Sequence, residues 1–174
     1  MSSEPPSSNP KTSEPNLGQF GGIEMRQARR EDIRAIVELI ADDEISALRE
    51  DLSDPLPAPY IDAFAAIEAD PRTELLVAVQ NEEVLATLQI TYLPGLSRMG
   101  SERAQIEAVR VARAARGMGL GTHLLTEAIE RAKARGCGLV QLTSDARRRD
   151  AQRFYKQLGF AETHVGMRLI LEPQ

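Results

Sequence analysis

The sequence predicts an α/β fold in one domain, and three observations carry that prediction. Residues 106–125 read IEAVRVARAARGMGLGTHLL, an apolar alternating run, a turn containing Gly117, Gly119 and Gly121, and then an amphipathic helix pattern. Residues 74–80 and 84–92 are two runs rich in β-formers on either side of Asn81-Glu82, which reads as an antiparallel pair. Residues 31–43 place Ile33, Ile36, Val37 and Ile40 at helical spacing, with acids in the first turn. A chain of 174 residues can bury one sizeable core.

Composition narrows the function classes. A formal net charge of -5 argues against nucleic acid as the main partner. The one cysteine, Cys137, cannot form an intramolecular disulfide, so nothing calls for an oxidising compartment. No apolar run approaches membrane-spanning length, and the N-terminus lacks a signal-peptide core. The expectation is a soluble, cytoplasmic protein with no membrane partner.

Residues 1–22 are mostly Ser, Pro, Asn, Gly and Glu and bury too little surface to offset ordering, so a disordered tail is expected there and the domain spans residues 23–174. A short strand at 23–28 precedes the first helix, whose expected cap position holds Arg29, a poor cap. The breaker cluster at 54–59 launches a second helix with Tyr60, Phe64 and Ile67 on one face, and Asp70-Pro71 ends it. The antiparallel pair follows, then a loop at 94–100 and the strand at 106–111. The next helix, 119–135, turns Leu120, Leu124, Ala128 and Ile129 to the core and stops at Gly136. A buried strand at 139–143, a helix ending at Gly159, and strands at 160–163 and 166–171 close the chain.

Strand, glycine turn and helix start in that order make an anion site. The free N–H groups of the first helical turn and the positive end of the helix dipole face the turn, and glycine lets the backbone approach a pyrophosphate. A P-loop is excluded because no Lys-Ser or Lys-Thr pair follows the last glycine. A dinucleotide fingerprint fits badly too: the glycines fall as G-x-G-x-G, and no acid lies about twenty residues on.

Arg116-x-x-Gly119-x-Gly121 resembles the acyl-CoA pyrophosphate motif of the GNAT superfamily, the acetyl-CoA-dependent N-acyltransferases. Downstream, Ala151-Gln152-Arg153-Phe154-Tyr155-Lys156-Gln157-Leu158-Gly159-Phe160 is similar to that superfamily's A-x-x-F-Y-x-x-x-G-F element. The resemblance covers residues 23–171. It implies an α/β (α+β) fold, a single-domain mixed sheet flanked by helices in the order β-α-α-β-β-β-α-β-α-β-β. It also implies acetyl-CoA as co-substrate, a small-molecule or peptide amine as acceptor, and a homodimer through the C-terminal strands.

Acyl transfer from a thioester to an amine needs a seat for the pyrophosphate, a donor to the thioester carbonyl, a base for the ammonium proton and an acid for the thiolate. The resemblance implies the seat at Arg116, Gly117, Met118, Gly119, Leu120, Gly121 and Thr122, and a carbonyl-binding backbone amide on the central strand around Val109, Arg110 and Val111. Tyr155 falls at the family's tyrosine position and is the candidate acid; a phenol of ordinary pKa, about 10, keeps its proton at neutral pH. It can also be read as part of an apolar stripe with Ala151 and Leu158, although Phe154 fills that stripe alone. Glu107 is either the base or an ordinary charged residue near a strand's start, and period two puts it on one face with Val109 and Val111. Where the family often has asparagine, seven residues before the tyrosine, this chain has Arg148, which reads as a solvated charge or a contact to CoA phosphates. His123 and His164 read as structural, and no spacing suggests a metal site. Asp42, Asp43, Glu44, Glu50, Asp51, Asp54 and Asp62 form an acidic stretch around the first two helices that would favour a cationic acceptor.

Overall fold

The computed structural model describes residues 21–43 and 47–171. The β-forming runs build one sheet of five strands: β1 (Glu24–Gln27), β2 (Thr73–Gln80), β3 (Glu83–Leu93), β4 (Arg103–Val111) and β5 (Leu139–Leu142), in that spatial order. The first four are antiparallel neighbours, and β5 lies parallel to β4. The turn between β2 and β3 puts Asn81 and Glu82 at φ of 49° and 67°, the two left-handed residues of a type I′ hairpin turn.

Helices cover both faces: α1 (Ile33–Ala41), α2 (Ala58–Ala69), α3 (Leu120–Arg135) and α4 (Arg149–Gln157). Alternation along the strands sorts the core into two clusters. Leu76, Leu88, Ile90 and Ile106 pack with Leu120, Leu124, Leu125 and Ala128 of α3. Val77 and Val79 point the other way, against Ile33, Ile36 and Val37 of α1 and Phe64 of α2. The result is the mixed sheet flanked by helices that the sequence predicts. No helix among the described residues is long and apolar enough to cross a membrane.

Two expectations fail. Residues 160–163 and 166–171 form no strands; they carry no ladder pairing, and Val165, Met167, Leu169 and Ile170 are exposed. Alternating β-formers mark a segment able to join a sheet, but joining takes an edge to pair with, which local sequence does not specify. The second failure is the face of Glu107. Gln89 of β3 lies opposite Glu107 while Thr87 lies opposite Arg110, so three steps of β4 span two of β3. This is a β-bulge, with Ala108 at φ 51°. Past it the alternation is reversed: Glu107 shares a face with Arg110, whereas Val109 and Val111 pack against the α3-side core. The tail at 1–20 lies outside the described residues, as does Glu44.

Candidate active site

The last β4–β5 pair is Ile106 with Leu142, after which β5 ends and β4 runs on through residues 107–111. The two parallel strands part there. Along this stretch the carbonyls of Val109 and Val111 accept hydrogen bonds from Arg110 Nη1 (2.9 Å) and Arg116 Nε (3.1 Å). The parting opens a cleft of about 220 Å³ whose walls include Glu107, Val109, Arg110, Asp145, Arg148 and Tyr155. The predicted acid and predicted base are thus brought together from residues forty-eight apart in sequence by the meeting of β4 and α4.

Beyond the cleft, β4 leads through a 3-10 turn (Arg113–Ala115) to the glycine turn and α3. Gly117 and Gly119 take φ of 79° and 82°, which glycine adopts without strain. Gly119 is the N-cap of α3, and no side chain caps the helix. The first-turn N–H groups therefore keep their donor capacity for a ligand. Gly121 packs so closely that a Cβ there would lie 3.4 Å from Phe154 Cζ and 3.6 Å from Val111 Cγ2. Met118 is exposed beside it. Arg116 also reaches Asp42 Oδ2 at 3.6 Å, and Arg113 Nε is 2.8 Å from Asp42 Oδ1.

Tyr155 is held by aromatic neighbours, with ring centroids 5.4 Å from Phe154 and 6.1 Å from Phe160. Burial pushes its hydroxyl above the ordinary tyrosine pKa against the opposing pull of Arg110 and Arg148, so it remains a proton carrier at neutral pH. Burial also weakens the hold of Arg110 on its charge, as does Arg148 beside it, with Asp43 acting the other way. Arg148 forms an ion pair with Asp43, and its backbone N–H donates to Asp145 O at 2.9 Å, so it stands at the mouth of α4 beside Tyr155. The carboxylate of Asp145 folds back on Arg147 at 2.8 and 2.9 Å, and that pairing holds it well below the usual carboxylate range.

Sequence reasoning missed Asp145, Arg49 and Arg168, all on the cleft wall. Ser144-Asp145 before a helical run is a usable signal for the first, while nothing local marks the two arginines. Three of the seven acids of the acidic stretch pair with arginines: Asp42 and Asp43 as above, and Asp54 with Arg34 Nη2 at 3.1 Å. Glu50 accepts the Tyr60 hydroxyl at 2.9 Å.

A sequence model of the acetyltransferase (GNAT) family matches residues 33–160, which span β2 to β5 with α1 to α4. The chain belongs to the GNAT family. Aminoalkylphosphonate N-acetyltransferase of Salmonella typhimurium is 29% identical to it over 141 residues, 81% of this chain and 86% of that protein. Among solved structures, a transcriptional regulator from Bacillus halodurans C-125 is 46% identical, superposes with a TM-score of 0.84 and is matched over 86% of this chain and 99% of its own. An acetyltransferase of Trypanosoma brucei is 25% identical with a TM-score of 0.70, over 86% and 99% of the two chains. GNAT membership makes the chain an acyltransferase.

Proposed function

We propose that this GNAT protein transfers an acetyl group from acetyl-CoA to a small primary amine by direct attack on the thioester. The observation that carries the reading is the Tyr155 hydroxyl, kept protonated in the cleft where β4 leaves β5. The uncapped start of α3, with Gly117, Gly119 and Gly121, is the seat for the pyrophosphate, and backbone from Leu120 to Thr122 supplies its donors. Arg116 adds charge beside it. The bulged stretch from Val109 to Val111 offers the amide that polarises the thioester carbonyl.

In the reaction, Glu107 takes a proton from the ammonium, directly or through a water, and the freed nitrogen lone pair adds to the carbonyl carbon. When the C–S bond breaks, its electron pair leaves on sulfur, Tyr155 gives the thiolate a proton, and the second proton of the attacking nitrogen passes through water to restore the phenol, leaving the neutral amide, free CoA and one proton on Glu107. An amine that is protonated in water is cationic at its reacting nitrogen, so the acceptor is cationic at that end. The small amine named for the Salmonella relative is of this kind. We place the reaction in the cytoplasm, the domain at residues 23–174 and no metal in the step.

The test pairs a thermal shift with acetyl-CoA and release of free CoA across an amine panel. Acetyl-CoA is expected to raise the melting temperature, Gly121→Glu to abolish that rise, and at least one amine to release CoA. Absence of stabilisation by acetyl-CoA overturns the reading. The likeness to the Bacillus halodurans transcriptional regulator favours one rival, a non-catalytic acyl-CoA-binding regulator. Stabilisation with no turnover on any amine would support that rival.

A further inference from the structure

The same cleft gathers arginines from four separate parts of the chain. Arg49 ends the 3-10 turn Ala47–Arg49, Arg110 lies on β4, Arg148 precedes α4, and Arg168 comes from the C-terminal segment. This is no solvated charge run, because the four are brought together by the fold, in a chain whose net charge is -5. Two carboxylates share the wall, Glu107 and Asp145. Asp145 is already clasped by Arg147, and Asp43 answers Arg148. The balance on the wall is cationic. Burial and the neighbouring Arg148 disfavour the charge on Arg110 while Asp43 and Glu50 favour it, and a bound anion would act in the same sense as those carboxylates.

Which anion fits? The CoA phosphates have their own seat at the glycine turn, where Arg116 and the start of α3 lie. The pantetheine arm separates those phosphates from the thioester, so cations around Tyr155 stand at the acceptor end. Guanidinium groups match phosphonate, phosphate and carboxylate oxygens by paired hydrogen bonds. Glu107 and Arg110 share one face of β4 across the bulge, a carboxylate for the ammonium next to a guanidinium for the anion.

Resting on the acetyl-transfer reading, we propose that the acceptor is a small zwitterion, a primary amine with a phosphonate, phosphate or carboxylate a few bonds away, and that Arg49, Arg110, Arg148 and Arg168 receive the anionic end. The test is calorimetric titration of CoA-saturated protein with aminoethylphosphonate, β-alanine, propylamine and diaminopropane, so that no turnover is needed. At least one zwitterion is expected to bind about tenfold or more tighter than propylamine. Arg49→Ala and Arg168→Ala are each expected to remove most of that advantage while CoA affinity and melting temperature stay within error. Equal or tighter binding of propylamine or diaminopropane overturns the inference, as does zwitterion binding indifferent to both substitutions, or no binding by either zwitterion. Tight zwitterion binding with no CoA release from acetyl-CoA would instead uphold the anion site and refute acetyl transfer.

Discussion

Removing one oxygen from Tyr155 separates its two roles. Phenylalanine keeps the ring that meets Phe154 and Phe160, and loses only the hydroxyl that burial keeps protonated. Turnover of Tyr155→Phe is expected to fall roughly ten- to a thousandfold, with little change in acetyl-CoA affinity or melting temperature. The loss is partial because a thiolate with a thiol pKa near that of cysteine, about 8.5, can depart unaided in part. The pH sign follows from the raised pKa. The neutral phenol's contribution is fully present below the unfolded value of about 10 and is lost only as pH rises through the higher folded value. No loss of the acid is therefore expected between neutrality and about pH 9. Steady-state kinetics on the variant, with a melt beside it, decide the matter: normal turnover with a lowered melting temperature would assign Tyr155 to the core.

At the scale of an element, the junction of β1 and α1 depends on a carboxylate. Asp32 is buried, accepts Arg29 N at 2.7 Å and receives Arg26 Nη1 and Nη2 at 2.6 and 3.0 Å. Arg29 is a poor cap, as the sequence indicates, and the acid three residues on supplies the hydrogen bond. Burial alone would raise the carboxyl's pKa, but the two Arg26 bonds and the Arg29 amide outweigh it and leave it below the ordinary value. A depressed acid stabilises the fold above its unfolded pKa, about 4, and that stability is lost as pH falls through the folded value. Asp32→Ala leaves Arg26 buried without its partner and is expected to cost about 3 kcal/mol at neutral pH. The deficit should shrink towards about pH 3, which denaturant melts at the two pH values would show. An equal deficit at both would mean lost packing and not lost charge.

The same junction shows what was legible in the sequence. Helical spacing of Ile33, Ile36 and Val37, β-formers flanking Asn81-Glu82, and glycines before Leu120 are local signals, and each sits where the structure uses it. The bulge was not legible, because nothing marks Ala108, a non-glycine residue, for φ 51°, and one extra residue sends Glu107 to the opposite face. Arg49 and Arg168 reach the cleft by long-range folding, so the family motifs pointed to Tyr155, Arg110 and Arg148 while those two arginines stayed hidden.

For the whole molecule, the C-terminal segment bears on assembly. Among the described residues β5 pairs only with β4, and residues 160–171 join no ladder. Val165, Met167, Leu169 and Ile170 are 85 to 92% exposed there, an apolar row that a monomer would present to water. A Cβ on Gly166 would lie 3.9 Å from Thr143 Cγ2, so the segment already borders the end of β5. Antiparallel pairing of this segment with its copy in a second molecule would satisfy both backbones and cover both apolar rows in one two-fold interface. We therefore expect a homodimer by light scattering, and a monomer once Leu169→Glu and Ile170→Glu put four carboxylates across the two-fold. Arg168 directly precedes those two positions and lines the cleft, so dimerisation should also fix the acceptor site. The monomeric variant is expected to show a raised KM for the amine and an unchanged KM for acetyl-CoA. A wild-type protein that scatters as a monomer at its highest soluble concentration would rule the interface out. A monomeric variant with both KM values unchanged would leave the dimer standing and detach it from the cleft.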